Sequence, residues 1–289
     1  MNRALSTSLL VLAAAGCAAA ADRIDYGPAR KVCEAANRRI CESSGVAAGR
    51  RNPGVFWTHN DSGGKPRLFA FDTKGRDRAL LVIDRAHHTD WEDIASFTLD
   101  DKHYLLVADA GDNAKRRKLY VLYLVEEPLL QPGKRLVGRV RPAMVIPFRF
   151  EDGSQDGESV AVDVVSKKIY LATRNSARKE CRVYQLPLPE KQEKKLLIAR
   201  FITDLEIQAG NGLDISPDGL RAVLNTYGDA REFVRRPDDT WPEAFKRAPR
   251  VLKMPDRAKG ESITYGADGK TLYLTSEGRP CPLWEVPAK

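Results

Sequence analysis

The stretch KGESITYGADGKTLYLTSEGRPCPLWEVP, residues 259–287, decides the fold. Residues 261–265 form one β-prone run and residues 271–275 alternate into a second, and an Asp-Gly turn at residues 267–270 separates the two runs. A Gly-Arg-Pro break then leads into a third apolar run at residues 282–286. This spacing predicts three antiparallel strands joined by short turns.

The same pattern occurs four more times, most loosely in the first copy. The other copies span residues 43–63, 91–113, 156–175 and 211–228. Apolar residues at matching places anchor the five copies at separations of 48, 66, 55 and 48 residues, and they are Val46, Ile94, Val160, Ile215 and Ile263. These separations favour four-stranded β-propeller blades with loops over helical repeats.

The sequence therefore predicts an all-β fold: a five-bladed β-propeller of four-stranded antiparallel blades, in one domain over residues 22–289. The fifth copy ends after three strands, so closure of the ring requires an outer strand from the N-terminus. Residues 23–26, RIDY, are the candidate for that strand. Closure removes the sheet edges that a linear array would expose. Six blades remain the competing architecture if the long second period contains a degenerate copy.

Residues 1–21 predict a leader segment and not part of the fold. Arg3 gives a positive start, an apolar run follows, and three alanines before Asp22 offer a cleavage site. The run is too short to span a membrane. Residues 12–17 resemble a lipobox, which would anchor the protein through Cys17. We expect export to the periplasm or beyond the cell, either as a free protein or with a lipid anchor.

Four cysteines follow the leader: Cys33, Cys41, Cys181 and Cys281. An even number in an exported protein predicts disulfides. Cys33 and Cys41 are close in sequence, and the other two follow the second strand of their copies, so the predicted pairs are 33–41 and 181–281. A cysteine metal site is disfavoured because the chain has no C-x-x-C pair.

The chain has 289 residues and a formal net charge of +8, with its densest basic run at residues 115–118. No nucleic-acid-binding motif accompanies that run, which favours a solvated loop. We expect no nucleic-acid partner and a monomeric protein.

Polar side chains recur where inner strands begin and second strands end, and in a propeller these places share one face around the central channel. The predicted metal ligands are Glu42, Asp61, Glu92, Glu158, Asn211 and Glu261. The predicted ligand-binding residues are His59, Asn60, Asp109, Asp112, Asn113, Arg174 and Tyr227. Carboxylate and carbonyl oxygens suit Ca²⁺, and acids crowded without a cation would repel one another. The alternative is that these residues only cap strand ends and turns.

Several motifs together resemble a bacterial family of exported β-propeller proteins. They are RNPGVFWTHNDSGG, DWEDIA, VADAGDN, GESVAVD, DISPDGLRAVLNTYGDA, TWPEAF and KGESITYGADGKTLYLTSEG. The resemblance covers nearly the whole chain after the leader and implies the fold and export, but no activity. Arg174 stands where the family pattern has Lys, and Asn225 where it has Arg, so no charge role carries over at either position.

These observations predict a binding protein whose acidic funnel holds a small molecule, glycan or protein ligand, with Ca²⁺ as a cofactor. The alternative is a Ca²⁺-dependent hydrolase. Residues 211–219, NGLDISPDG, are similar to a stretch of the gluconolactonase family, which implies metal-ligand roles for Asn211 and Glu42. The strand start GES is similar to that of phytase-like propellers, which implies a phosphoesterase.

Overall fold

The computed structural model describes residues 23–175, 180–192, 195–236 and 238–289, and within them the chain is all-β. The first ten strands are β1 Arg30–Glu34, β2 Ser43–Ala48, β3 Val55–Asn60, β4 Arg67–Asp72, β5 Asp77–Ile83, β6 Trp91–Leu99, β7 Lys102–Asp109, β8 Tyr120–Glu126, β9 Leu136–Val140 and β10 Met144–Phe150. The others are β11 Asp156–Asp163, β12 Lys168–Arg174, β13 Cys181–Pro187, β14 Leu197–Leu205, β15 Leu213–Ile215, β16 Arg221–Asn225, β17 Ala230–Val234, β18 Arg250–Leu252, β19 Thr264–Tyr265, β20 Leu272–Thr275 and β21 Pro282–Val286. One helix, α1 Trp241–Phe245, lies between β17 and β18.

The predicted leader and its Cys17 lie outside the described residues. In the part of the chain that is described, no helical segment has the length and apolar character that crossing a bilayer requires.

The strands form arrays of four antiparallel neighbours. In chain order these are β2-β3-β4-β5, β6-β7-β8-β10, β11-β12-β13-β14, β15-β16-β17-β18 and β19-β20-β21-β1, here called the first to fifth arrays. A parallel pairing of β10 with β14 joins the second and third arrays into one eight-stranded sheet. The all-β prediction is confirmed.

The first strand of each array contacts the first strand of the next. β2 lies against β6, β6 against β11, β11 against β15, β15 against β19, and β19 against β2. These inner strands therefore form a closed ring around a central axis. We call the side where they begin the funnel face.

Ring closure uses a different N-terminal segment from the predicted residues 23–26. β1 pairs antiparallel with β21, with Arg30 opposite Glu285 and Glu34 opposite Pro282. Tyr26 makes only an isolated bridge to Ala288. The physical reason is the Gly-Pro sequence that follows residue 26, because proline has no N–H to donate and interrupts a β ladder. The predicted strand is therefore wrong in position, although an N-terminal strand does complete the fifth array.

The core is divided into layers between neighbouring arrays. In the described residues, a separate hydrophobic cluster lies at each of the five contacts between arrays. The layer between the fifth and first arrays contains Phe56, whose ring centroid lies 4.7 Å from that of Tyr273. Aromatic pairs at this separation add to the stabilisation that burial provides. This layer holds the two ends of the ring together.

The long second period is occupied by an added strand. After β8 the chain forms β9, which pairs parallel to β5 at the outer edge of the first array, and then returns to β8 through β10. The helix α1 begins with a capping box, in which the Glu243 carboxylate accepts hydrogen bonds from the backbone and hydroxyl of Thr240.

Candidate functional site

The start of β6, the start of β11 and the residue after β3 bring five carboxylates together on the funnel face. Oxygen atoms of Asp61, Asp90 and Glu92 all lie within 4.8 Å of one another, and so do those of Glu92, Asp156 and Glu158. We call these five residues the acidic cluster. Glu92 belongs to both groups and is only 5% exposed.

A glycine makes this crowding possible. Gly111 follows β7, and a Cβ at that position would overlap Glu92 Oε1 and the Asp90 carboxyl group. The turn after β7 can therefore lie directly against the acids. The GDN motif therefore requires glycine at position 111, because any larger residue there would overlap the acids of the site.

Arg174, at the end of β12, is the cation of the cluster. Its Nη2 lies 2.7 Å from Glu158 Oε1 and 3.5 Å from Asp156 Oδ2, and it also donates to Asn113 Oδ1 at 2.9 Å. In the described residues, no Lys or Arg pairs in this way with Asp61, Asp90 or Glu92. The positive charge of Arg174 therefore compensates the half of the cluster that contains Asp156 and Glu158.

A hydrogen-bonded path leads from this arginine to the fifth array. Arg174 Nη1 donates to the Tyr227 hydroxyl at 3.0 Å, and that hydroxyl donates to Glu261 Oε1 at 3.1 Å. Lys259 pairs with Glu277 nearby, with Nζ 3.1 Å from Oε2. Four of the predicted residues, Asn113, Arg174, Tyr227 and Glu261, are thus connected across the funnel face.

Burial and mutual repulsion make the acids weak. Burial raises the pKa of Glu92 well above its usual range, and the charges of Asp61 and Asp90 add to the effect. The pKa of Asp90 is raised to about 6 by burial and by neighbouring acids. Burial, with the charge of Glu277, raises the pKa of Glu261 to about 7. Each raised pKa means that the ionised form of the acid is disfavoured unless a cation compensates its charge.

Three predicted ligand-binding residues instead hold the local backbone. Asp109 accepts the backbone N–H groups of Thr89 and Asp90 and pairs with Arg117. Asp112 accepts the Tyr120 hydroxyl and two backbone N–H groups of the basic run. Asn60 accepts the backbone N–H groups at positions 41 and 42. Asp109 consequently positions Asp90, while the contacts of the other two are those of turn residues.

His59 does not face the funnel, contrary to the prediction from the sequence. Its side chain is completely buried, with Nδ1 3.0 Å from the carbonyl of Asn60 and the ring edge against Trp91. Burial lowers the pKa of His59 to about 4, so the imidazole is neutral at physiological pH. The period-two alternation of β3 explains this, since its neighbour Asn60 points to the other side.

Glu42 and Asn211 are not brought into the acidic cluster. Glu42 is exposed and belongs to neither carboxylate group. The Asn211 amide is bonded to Asn225 Nδ2 at 2.9 Å and to the carbonyl of Gly260 at 3.3 Å. Asn211 thereby holds the segment that carries Glu261.

Asp93 is a residue of this region that the repeat pattern did not single out. Its Oδ2 accepts the backbone N–H of Val160 at 2.9 Å and of Leu213 at 3.1 Å, which belong to the third and fourth arrays, and its Oδ1 accepts its own neighbour Ile94 at 2.8 Å. One signal was available, because Asp93 directly follows Glu92, so two acids stand side by side in a largely buried inner strand. The strand pattern could not show which backbone groups it would reach.

All four described cysteines are unpaired, so neither predicted disulfide is present. Cys181 lies in the layer between the third and fourth arrays, whereas Cys281 lies in the layer between the fifth and first. Matching positions in two copies are thus separated by the ring. Burial raises the pKa of Cys281 to about 11, so its thiol is protonated at neutral pH.

No family model and no curated protein matches this chain. Among solved structures, the chain is similar to the PQQ-bound form of an aldose sugar dehydrogenase from Streptomyces coelicolor, with a TM-score of 0.50 and 10% sequence identity. The alignment covers 94% of this chain and 100% of that chain. That enzyme has a β-propeller-type fold, and at this identity the likeness concerns the fold alone. It supports a β-propeller-type fold for this chain.

Proposed function

We propose that this chain is an exported, five-bladed β-propeller binding protein whose funnel holds a divalent cation, Ca²⁺, between Asp61, Asp90 and Glu92. The ligand binds on the same face. Support for five blades comes from the five packing layers and the closed ring of inner strands. The extra length of the second period forms β9, which leaves no need for a sixth blade.

The spacing of the oxygens of Asp61, Asp90 and Glu92 carries the cation proposal. Ca²⁺ binds oxygens at about 2.3–2.6 Å, so two ligands of one ion lie at most about 5 Å apart. The three carboxylate oxygens meet that condition, since all lie within 4.8 Å of one another. They can hold one ion without a change of backbone.

Charge supports the same site. Arg174 is engaged by Asp156 and Glu158, which leaves the other half of the cluster without a Lys or Arg within ion-pair distance in the described residues. Burying like charges together is unfavourable unless they are protonated or neutralised. A divalent cation would neutralise the charge and satisfy the oxygens together.

The test is thermal melting of chelator-treated protein with and without Ca²⁺. An ion that binds only the native state at about a hundredfold its Kd adds about 2.7 kcal/mol of stability. For a domain of this size, that raises the Tm by roughly 2–4 °C per kcal/mol. We expect Asp90→Asn and Glu92→Gln each to melt at or above the wild-type temperature without Ca²⁺, because repulsion is relieved, and to lose the response to the ion.

Glu190→Gln is the matched control. Glu190 is an exposed carboxylate paired with Lys167 outside the cluster, so this variant should respond to Ca²⁺ like the wild type. An unchanged wild-type Tm in millimolar Ca²⁺, or an equal response in Glu92→Gln, would rule the site out.

One observation favours the second candidate function, a Ca²⁺-dependent hydrolase acting on lactones or phosphomonoesters. Glu261, with a pKa of about 7, lies within electrostatic range of Asp61 and is oriented by Tyr227. A general acid or base works best when its pKa is close to the working pH. Glu261 would transfer the proton beside the bound ion.

A panel of lactones and phosphomonoesters, assayed with and without Ca²⁺, separates the two functions. Turnover that requires Ca²⁺ and is lost in Glu261→Gln, with the Tm response to Ca²⁺ retained, would replace the binding function with the hydrolase. Turnover unaffected by Glu261→Gln would argue against this role.

A further inference from the structure

Tyr227 presents a bare aromatic face at the edge of the acidic cluster. It is 45% exposed and is the sole aromatic side chain among the exposed large hydrophobic residues in the described ranges. Its hydroxyl is fixed between Arg174 and Glu261 by bonds of 3.0 and 3.1 Å. Two hydrogen bonds at the hydroxyl fix the position of the ring, which therefore offers a preorganised aromatic surface.

A cavity of about 420 Å³ lies beside this ring. One wall is the segment that follows β14, with Glu206 and Gln208, and the other is the turn from β16 to β17, with Tyr227 and Asp229. Arg231 at the start of β17 completes the lining. A cavity of this volume is within the range that small-molecule sites occupy.

The polar groups of the cavity are available to a ligand. In the described residues, the side chains of Glu206, Gln208 and Asp229 make no hydrogen bond or ion pair. The Arg231 guanidinium donates only to the neighbouring carbonyl of Ala230, at 3.2 Å. Two carboxylates, an amide and a guanidinium therefore offer both acceptors and donors around one aromatic face.

We propose that Tyr227 and this cavity form a carbohydrate subsite. A sugar ring would place its C–H groups on the electron-rich face of Tyr227, and its hydroxyls would bond to Glu206, Gln208, Asp229 or Arg231. Carboxylate, amide and guanidinium groups suit a ligand with many hydroxyls, each of which both donates and accepts. The subsite rests on the proposed function in taking the funnel face as the ligand-binding face.

Other ligand classes fit less well. An anion would face the acidic cluster and the free carboxylates of Glu206 and Asp229 at short range, which is unfavourable. An organic cation is best held by several aromatic rings, and this cavity has one.

The test measures saccharide binding by calorimetry and ligand-observed NMR, with and without Ca²⁺. The probes are glucose, N-acetylglucosamine, cellobiose, maltose and chitobiose, with choline as the cationic probe. We expect at least one saccharide to bind the wild type. Tyr227→Ala should weaken that binding about tenfold or more, and Tyr227→Phe, which keeps the ring, about threefold or less.

Val165→Ala is the control, since Val165 is 68% exposed on the turn after β11, away from the funnel face. It should bind the saccharide like the wild type. Absence of binding by every saccharide, binding by choline alone, or equal saccharide affinity in Tyr227→Ala would each overturn the subsite.

The same preparations are melted with Ca²⁺. A Ca²⁺ response without saccharide binding removes only the subsite, and saccharide binding without a Ca²⁺ response removes only the cation site.

Discussion

Single buried carboxylates connect arrays that the sequence keeps far apart. Asp93 on the second array accepts N–H groups of the third and fourth arrays, and Asp214 on the fourth accepts the N–H of Tyr265 on the fifth. Inner strands have no hydrogen-bonded neighbour on the axial side, so the N–H groups that face the axis need such acceptors. Burial raises the pKa of Asp93 well above its usual range, while the N–H donors oppose that shift.

Glu127 has the same role on the face opposite the funnel, where β2 ends. Its carboxylate accepts the backbone N–H groups of Arg50 and Arg51, the amide of Asn52 and the indole N–H of Trp57. The sequence EEP at residues 126–128 is thereby explained by structure, because four donors of the first array converge on the Glu127 side chain, which follows β8.

Asp93→Ala is expected to destabilise the protein by about 3 kcal/mol or more. It removes the acceptor of three backbone N–H groups, and each buried donor left unsatisfied costs about 1–3 kcal/mol. Urea unfolding at neutral pH measures the change. Asp204→Ala, which breaks a half-exposed ion pair with Arg182, should cost less than about 1 kcal/mol. A loss below about 1 kcal/mol for Asp93→Ala would contradict the proposed bridging role.

At the scale of elements, the N-terminal strand and β9 both protect sheet edges. β1 covers β21 in the fifth array, and β9 covers β5 in the first. Exposed β edges are sites of unwanted pairing between molecules. Segments distant in sequence thus close two of the arrays.

Truncation tests the strand that closes the ring. Chains beginning at residues 23, 29 and 35 retain both N-terminal segments, only β1, or neither. We expect a small decrease in Tm for the start at 29, which loses the bond from Tyr26 to Glu232. The start at 35 should show a large decrease and self-association, because the edge of β21 is exposed. Light scattering and thermal melting measure these effects, and equal losses for the starts at 29 and 35 would assign closure to residues 23–26.

At the scale of the whole molecule, ring closure concentrates negative charge in a positively charged protein. The formal net charge is +8, yet five carboxylates meet on the funnel face beside one arginine. The starts of β6 and β11 lie side by side in the ring, and Asp61, which follows β3 of the first array, lies against Asp90 and Glu92. The crowding disfavours the ionised forms and is one cause of the raised pKa values of Asp90 and Glu92.

Stability in chelator should fall as the pH rises from about 4.5 to above 7. The pKa of Glu261 is raised from 4.5 to about 7, so the native state binds a proton that the unfolded state has released. The stabilisation from this proton is fully present below pH 4.5, the pKa of Glu261 in the unfolded state. It is lost as the pH rises through about 7, the pKa of Glu261 in the native state. Urea unfolding at several pH values measures it.

Glu261→Gln cannot release that proton and should show a weaker decline over the same pH range. A decline as steep as that of the wild type would mean that other acids dominate.

The sequence by itself determined the all-β class, the turns and the repeating register, because strands and turns are encoded by alternation and by Asp-Gly pairs within a few residues. The same register identified Glu92, Glu158 and Glu261 as inner-strand acids. The register could not show which oxygens of these acids would meet, which ion pairs they would form or how their pKa values would shift.

Only the tertiary structure decided that Asp90 and Asp156 join Glu92, that Arg174 neutralises one half of the cluster, and that His59 lies in the core. It also replaced residues 23–26 with β1 as the closing strand. The physical reason is that these outcomes depend on contacts between separate arrays. Ring geometry fixes those contacts, and no local pattern records which strand starts will face one another.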